Sequence, residues 1–255
     1  MDYFSPGYVD GDIHGRSVVY HRRVRTTLAG GDMNHSRTED QQSVASDYRT
    51  DGHGPVAGGT LVGLTTEHGV LLAADTRTSR GAVVRSEGVR KISQIHPTAV
   101  LGSTDDLGTA QSFVRAIRSE ADRYETSHHE PIDMTPLSTV AVTELRKRSM
   151  PDTTFLLGGV DADGPHLYTL GPGEGALEET YAAVGSGQQI AYGILDAQIP
   201  QSLTISEARL IAGRALRSAV ERDVQTGVGV HIAEISDDGV DIHHYESVDD
   251  LLENR

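Results

Sequence analysis

The strongest constraint on this chain is a pair of apolar runs that begins at residue 60. Thr60-Leu61-Val62-Gly63-Leu64 continues to Thr66, and Val70-Leu71-Leu72-Ala73-Ala74 ends on Asp75, with Glu67-His68-Gly69 between them. Two short aliphatic runs separated by a glycine that can take positive φ spell a β-hairpin. Neither run alternates apolar with polar, so both faces of these strands have to be covered. A single sheet with helices on one side would leave one face wet.

Nothing comparable precedes residue 59. Residues 1–58 mix Gly, Asp, Ser, His and Arg with no lasting period, and contain the basic patch Arg22-Arg23-Val24-Arg25. They read as a leader, disordered or removed, so the expected organisation is a leader over 1–59 and one domain over 60–255.

Downstream, short strands are expected at 82–85, 89–95 and 99–103. Leu107, Ala110, Val114, Ile117, Ala121 and Tyr124 recur at steps of three and four, which predicts a helix over 106–127 capped by Asp105 or Asp106. A second helix is expected over 135–148, with Pro136 in its first turn. Strands return at 153–160 and 165–170 around Asp161-Ala162-Asp163-Gly164, then at 177–184. Helices follow over 187–198 and 206–225, and a last hairpin over 229–236 and 240–245 turns at Asp237-Asp238-Gly239, before an acidic tail. Strands, a helix pair, strands, a helix pair and strands again define an α+β fold. Two sheets stacked face to face with a helix pair on each outer side bury every apolar face, so the expected architecture is a four-layer αββα sandwich.

Composition narrows the chemistry. The chain has no cysteine, which removes disulfides, thiolate zinc sites and cysteine nucleophiles together. Of the formal net charge of −15, residues up to 58 carry −2 and the remainder −13, a surface that repels nucleic acid and anionic membranes. No run approaches the ~18 apolar residues of a membrane span and no secretory h-region opens the chain, so a cytoplasmic protein is expected. The adjacent pairs His128-His129 and His243-His244 point apart on a strand and meet no convergent carboxylates; neither a metal nor a cofactor is expected.

Residues 60–75, Lys91-Ile92, Gly158-Gly159-Val160-Asp161, Val184-Gly185-Ser186-Gly187 with Ala191-Tyr192-Gly193, and Glu221-Arg222-Asp223 through Gly229 together resemble proteasome β subunits of the archaeal type, the N-terminal-nucleophile hydrolases of the 20S core. The resemblance covers nearly everything after residue 58. It implies a zymogen whose propeptide is cut autocatalytically after a glycine, here between Gly59 and Thr60, to free an N-terminal threonine. It also implies assembly with α subunits and other β subunits in four stacked heptameric rings, ATP-dependent unfoldase caps, and unfolded protein as substrate. The chemistry needs these residue types: a hydroxyl is a weak nucleophile, but the freed α-amine of the same residue, with an unperturbed pKa of about 7.7–8.0, can take its proton. A nearby ammonium favours the neutral amine. By resemblance Thr60 is the nucleophile, Lys91 that ammonium and Asp75 its holder, while Ser186, Asp223 and Thr226 support the amine. Thr78, Val89 and Ser103 would line the substrate pocket.

Two departures set this chain apart. The family commonly reads Gly-Thr-Thr-Thr-Val-Gly with its first threonine as nucleophile, and counting back from Gly63 lands that position on Gly59, which also lies at the family's spacing from Asp75 and Lys91. Thr60 then matches the second threonine, and a one-residue offset in a strand turns a side chain to the opposite face. Cleavage between Gly59 and Thr60 would free an end able to swing back. Asp105, moreover, falls where active members keep a glycine whose N–H stabilises the oxyanion, unless the alignment slips and Gly102 supplies it; losing one such donor costs ~100–1,000-fold in rate. Three readings follow: a threonine endopeptidase acting through Thr60, a catalytically silent β paralogue that co-assembles with an active one, and a generic binding module or other hydrolase of the same fold.

Overall fold

A computed structural model describes residues 58–80, 83–104, 107–148, 150 and 153–253. Residues 1–57 of the leader, and Asp105 and Asp106, lie outside the described residues. The expected hairpin is β1 (Thr60–Thr65) and β2 (Val70–Asp75), followed by a small ribbon of β3 (Thr78–Arg80) and β4 (Val83–Ser86). Then come β5 (Ile92–His96), β6 (Ala99–Ser103), α1 (Leu107–His128), α2 (Met134–Lys147), β7 (Phe155–Asp161), β8 (Gly164–Gly171), β9 (Gly175–Glu178) and β10 (Tyr181–Gly185). The chain closes with α3 (Gln188–Gln198), α4 (Ile205–Arg222), β11 (Val230–Ser236), β12 (Gly239–Tyr245) and α5 (Val248–Glu253).

Two five-stranded antiparallel sheets form, in the orders β10-β1-β2-β11-β12 and β5-β6-β7-β8-β9. Three apolar layers separate four layers of structure, which is the αββα sandwich. Between the sheets lie Leu61, Val70, Leu72, Ala74 and Val184 from the first and Ile92, Val100, Leu156 and Leu167 from the second. Val62, Leu64, Leu71 and Ala73 face the other way, onto Ala191, Leu195, Ala212 and Leu216 of α3 and α4. Phe113, Ile117, Leu137 and Leu145 of α1 and α2 cover Leu101, Phe155, Leu157 and Leu170. The lack of alternation in β1 and β2 is thus explained: odd positions of β1 fill one core and even positions another.

Several boundaries differ from the sequence reading, each for a local reason. The expected strand over 177–184 is two strands in different sheets. At the crossing, the Glu179 N–H donates to Leu167 O of the second sheet, and the next residue's carbonyl, Thr180 O, accepts from Thr65 N–H of the first. The α4 helix starts earlier than expected, at a capping box in which Thr204 and Glu207 satisfy each other's backbone N–H. It stops at Arg222 because Asp223 turns extended, φ −107° and ψ 114°. The acidic tail contains a helix, α5, whose Val248 and Leu251 are buried in the α4 core. The β3 strand, too polar and short to show as a period, was not expected. Among the described residues no helix is long and apolar enough to cross a membrane.

One half-buried group ties the fold to pH. His231 on β11 lies opposite His244 on β12, ring centroids 4.7 Å apart. Burial first, then His244 and Arg90, push the His231 imidazolium down to about 4. A histidine kept neutral in the folded state binds fewer protons than the unfolded chain between its folded value and its ordinary ~6.5, so its contribution to stability is present above ~6.5 and lost as pH falls toward 4. Urea unfolding at a series of pH values should show a decline across that window that is shallower in His231→Gln than in the wild type.

Candidate active site

The start of β1, the end of β2, the entry to β5, and the loops after β10 and α4 meet at one end of the sandwich. Asp75, the last residue of β2, is fully buried and accepts four hydrogen bonds. Its Oδ1 takes the Thr60 N–H at 2.7 Å and Lys91 Nζ at 2.6 Å; its Oδ2 takes the Arg77 N–H at 2.8 Å and the Gly227 N–H at 2.7 Å. Burial pushes the Asp75 carboxyl up and the Lys91 ammonium down, and the charge of each opposes the shift of the other. All four neighbours of Asp75 donate, so the arrangement accommodates the carboxylate form. Lys91 is 8% exposed, and its Nζ also donates to Gly58 O at 3.3 Å.

A second cluster lies beside the first, on the helix side. Asp223 Oδ2 accepts from Ser186 Oγ at 2.5 Å and from Thr226 Oγ1 at 2.6 Å. Thr226 gives its one proton to Asp223 and so acts as an acceptor toward its other partner, while the Ser186 hydroxyl, 2.5 Å from Asp223, also lies 3.3 Å from Gly59 O. The Gly59 N–H donates to Ser186 Oγ at 2.9 Å, and the Thr60 hydroxyl, 2.7 Å from Thr226 Oγ1, is the donor in that contact.

The six residues that the sequence reading grouped, Thr60, Asp75, Lys91, Ser186, Asp223 and Thr226, therefore converge, but on two sides of the chain at residues 59 and 60. Thr60 shares its strand face with Val62 and Leu64, which pack on the helices. A Cβ on Gly187 would meet its Oγ1, and among the described residues its hydroxyl pairs with the Thr226 side chain. On the Lys91 side stands Gly59. A Cβ built there would fall against Lys91 Nζ and Asp75 Oδ1, and the residue has φ +102°, a backbone conformation natural to glycine. The side chain aimed at the Lys91–Asp75 pair is thus the one that glycine lacks.

Of the expected pocket residues, Val89 and Ser103 line a cavity beside Lys91, together with Leu101, Ala110, Val114 and Phe155. It measures about 20 Å³, room for one water. Thr78, the first residue of β3, is not among its walls. Sequence reading missed Arg77, whose N–H meets Asp75 while its side chain pairs with Glu87 at 3.0 Å and donates to Val224 O at 2.9 Å, bracing the loop after α4. Its place two residues after Asp75, at a turn where the carboxylate can accept its N–H, was the available signal. No three metal-ligating side chains converge among the described residues.

The geometry makes unequal predictions for the two neighbours. Gly59→Ala should lose about 1–3 kcal/mol in urea unfolding, because an L residue at this φ is strained and the Lys91 ammonium must shift to make room for its Cβ. Thr60→Val should lose only about 1 kcal/mol, since Thr226 keeps its bond to Asp223.

Comparison with known proteins identifies the family. Residues 56–235 match the family model described as proteasome subunit. A proteasome subunit beta of Natrialba magadii is 42% identical over 196 residues, covering 76% of this chain and 81% of the relative. That of Haloferax volcanii is 42% identical over 194 residues, 76% and 80% of the two chains, and a proteasome subunit beta 2 of Haloterrigena turkmenica is 38% identical over 214, 82% and 90%. The chain belongs to the proteasome subunit family, among the β subunits of archaeal type.

Proposed function

We propose that this chain is a catalytically silent β subunit, built into the β rings of a 20S-type core beside a competent β subunit and under α rings, where it shapes the chamber without cutting peptides. Members of the family are generally threonine proteases, and a peptide-cleaving site needs a hydroxyl within hydrogen-bond reach of its base. The observation that carries the reading is Gly59: the residue whose side chain would face Lys91 has none, while the Thr60 hydroxyl is spent on Thr226 on the other face of the strand.

A second reading has its own support. The proton of the Thr60 hydroxyl is directed through Thr226 toward Asp223, and the Gly59 carbonyl accepts from the Gly187 N–H at 3.4 Å. A hydroxyl relayed to a carboxylate beside a polarised carbonyl is suited to attack on the Gly59–Thr60 peptide bond, which would release Thr60 as the N-terminus of a threonine endopeptidase.

Intact-mass analysis of the subunit, purified from cores assembled with α subunits and a competent β subunit, separates the two. Silence predicts no new terminus at Thr60 and no covalent capture of this subunit by an epoxyketone or β-lactone probe. A terminus at Thr60 carrying the adduct would overturn it in favour of the second reading. Reversing both departures, in the double variant Gly59→Thr, Asp105→Gly, should create a new terminus at residue 59 and probe capture there. A variant that assembles yet remains unprocessed and unlabelled would contradict the register assigned to the site.

A further inference from the structure

The opposite end of the sandwich holds a titratable knot with no part in the site above. His166, on β8, has carboxylate oxygens at both ring nitrogens: Glu178 Oε1 of β9 lies 2.7 Å from Nδ1, and Asp161 Oδ1 of β7 lies 3.1 Å from Nε2. The His166 side chain is 15% exposed, Asp161 11% and Glu178 58%. A neutral imidazole has one N–H, so it can donate to only one of these carboxylates, and its other nitrogen would set a lone pair against the second. Both contacts are satisfied together only by the imidazolium.

The knot reaches further than its three residues. Asp161 Oδ2 accepts the Met134 N–H at 2.7 Å, taking the place of the side-chain cap that Asp133 does not supply at the start of α2. Asp161 Oδ1 also takes the Asp163 N–H of the β7–β8 turn at 3.0 Å. The Tyr168 hydroxyl lies 3.3 Å from Thr135 Oγ1 and 3.5 Å from His166 Nδ1. The groups facing the ring are therefore Asp161 from β7, Tyr168 from its own strand and Glu178 from β9. β9 is a four-residue edge strand paired only to β8, and it ends where the chain leaves one sheet for the other.

We propose that His166 is a proton-operated clasp: as an imidazolium it binds the β9 edge and the α2 cap to the β7–β8 hairpin, and on losing its proton it releases β9 and the crossing at Glu179. Of the two carboxylates, Asp161 keeps its backbone donors after deprotonation. Glu178, more than half exposed, turns to water instead, so the loosening falls on β9. Burial works against the charged ring, but the hydrogen bond to Glu178 and the Asp161 carboxylate outweigh it and hold His166 above the ordinary histidine value. With the folded value raised, stability from the clasp is fully present below ~6.5 and is lost as pH rises through the folded value. One proton gives a folding equilibrium constant that falls by at most about tenfold per pH unit across that window.

The test is an NMR titration of the His166 ring in the full-length chain, with amide exchange at Glu179 measured over the same pH series and corrected for intrinsic rates. Expected are a midpoint above ~6.5, protection at Glu179 that falls in step with it, and no such fall in His166→Gln. Glu178→Gln, which removes one carboxylate from an exposed position and leaves Asp161 in place, should lower the midpoint. A midpoint at or below ~6.5 in the wild type, or exchange at Glu179 that follows pH identically in wild type and His166→Gln, overturns the clasp.

Discussion

Asp75 is the point on which this end of the molecule closes. Its two oxygens gather the first N–H of β1, the ammonium that precedes β5 and two N–H groups from the loops beyond β2 and α4. A buried carboxylate without such donors would be costly, and a buried ammonium without the carboxylate equally so. Each therefore requires the other, and together they fix where β1 begins relative to the second sheet. The contact between Lys91 and Asp75 does not depend on residue 59 having a side chain. The Lys91–Asp75 frame can thus stand while the side chain it would face is missing.

The register at residue 59 is held by something stronger than the site. Leu61 is fully buried between the sheets, and Val62 and Leu64 are fully buried against the helices. Shifting β1 by one residue, to bring Thr60 onto the Lys91 side, would exchange these faces and place Gly63 where a leucine or valine now packs. Each aliphatic side chain contributes about 1.5–3 kcal/mol by burial, against about 1 kcal/mol for the Thr60–Thr226 hydrogen bond. Three such residues outweigh any local gain at the site, so the cores dictate which residue meets the lysine.

That hierarchy also explains what could be read in advance. The layer order was legible because β1 and β2 are apolar on both faces, and only a sandwich between helix layers accommodates strands of that kind. The grouping of Asp75, Lys91, Ser186, Asp223 and Thr226 came from resemblance, since neither periodicity nor composition singles out an aspartate at a strand end or a lysine between Arg90 and Ile92. The opposite facing of Gly59 and Thr60 was legible as an offset in spacing, because side-chain direction in a strand follows from counting. What escaped was set by contacts distant in sequence. The β9–β10 break depends on two successive peptides finding partners in different sheets. The α5 helix depends on Val248 and Leu251 reaching the α4 core. The role of Arg77 depends on Glu87 and Val224 meeting it across the loops.

The two ends of the sandwich illustrate one rule with opposite outcomes. At the Asp75 end a carboxylate and an ammonium are buried together and surrounded by backbone donors, so the pair is a fixed strut. At the His166 end the cation is an imidazole whose charge can leave near neutral pH, and one of its carboxylates is largely solvated. The first arrangement sets a register that must not move. The second joins an edge strand to a hairpin, where a small change in charge moves a short segment without disturbing the three apolar layers. In a chain with a net charge of −15, a cation shared between two carboxylates does more than pair locally: it relieves repulsion where two strands and a helix cap bring negative charge together, and its loss is felt first by the strand with the fewest neighbours.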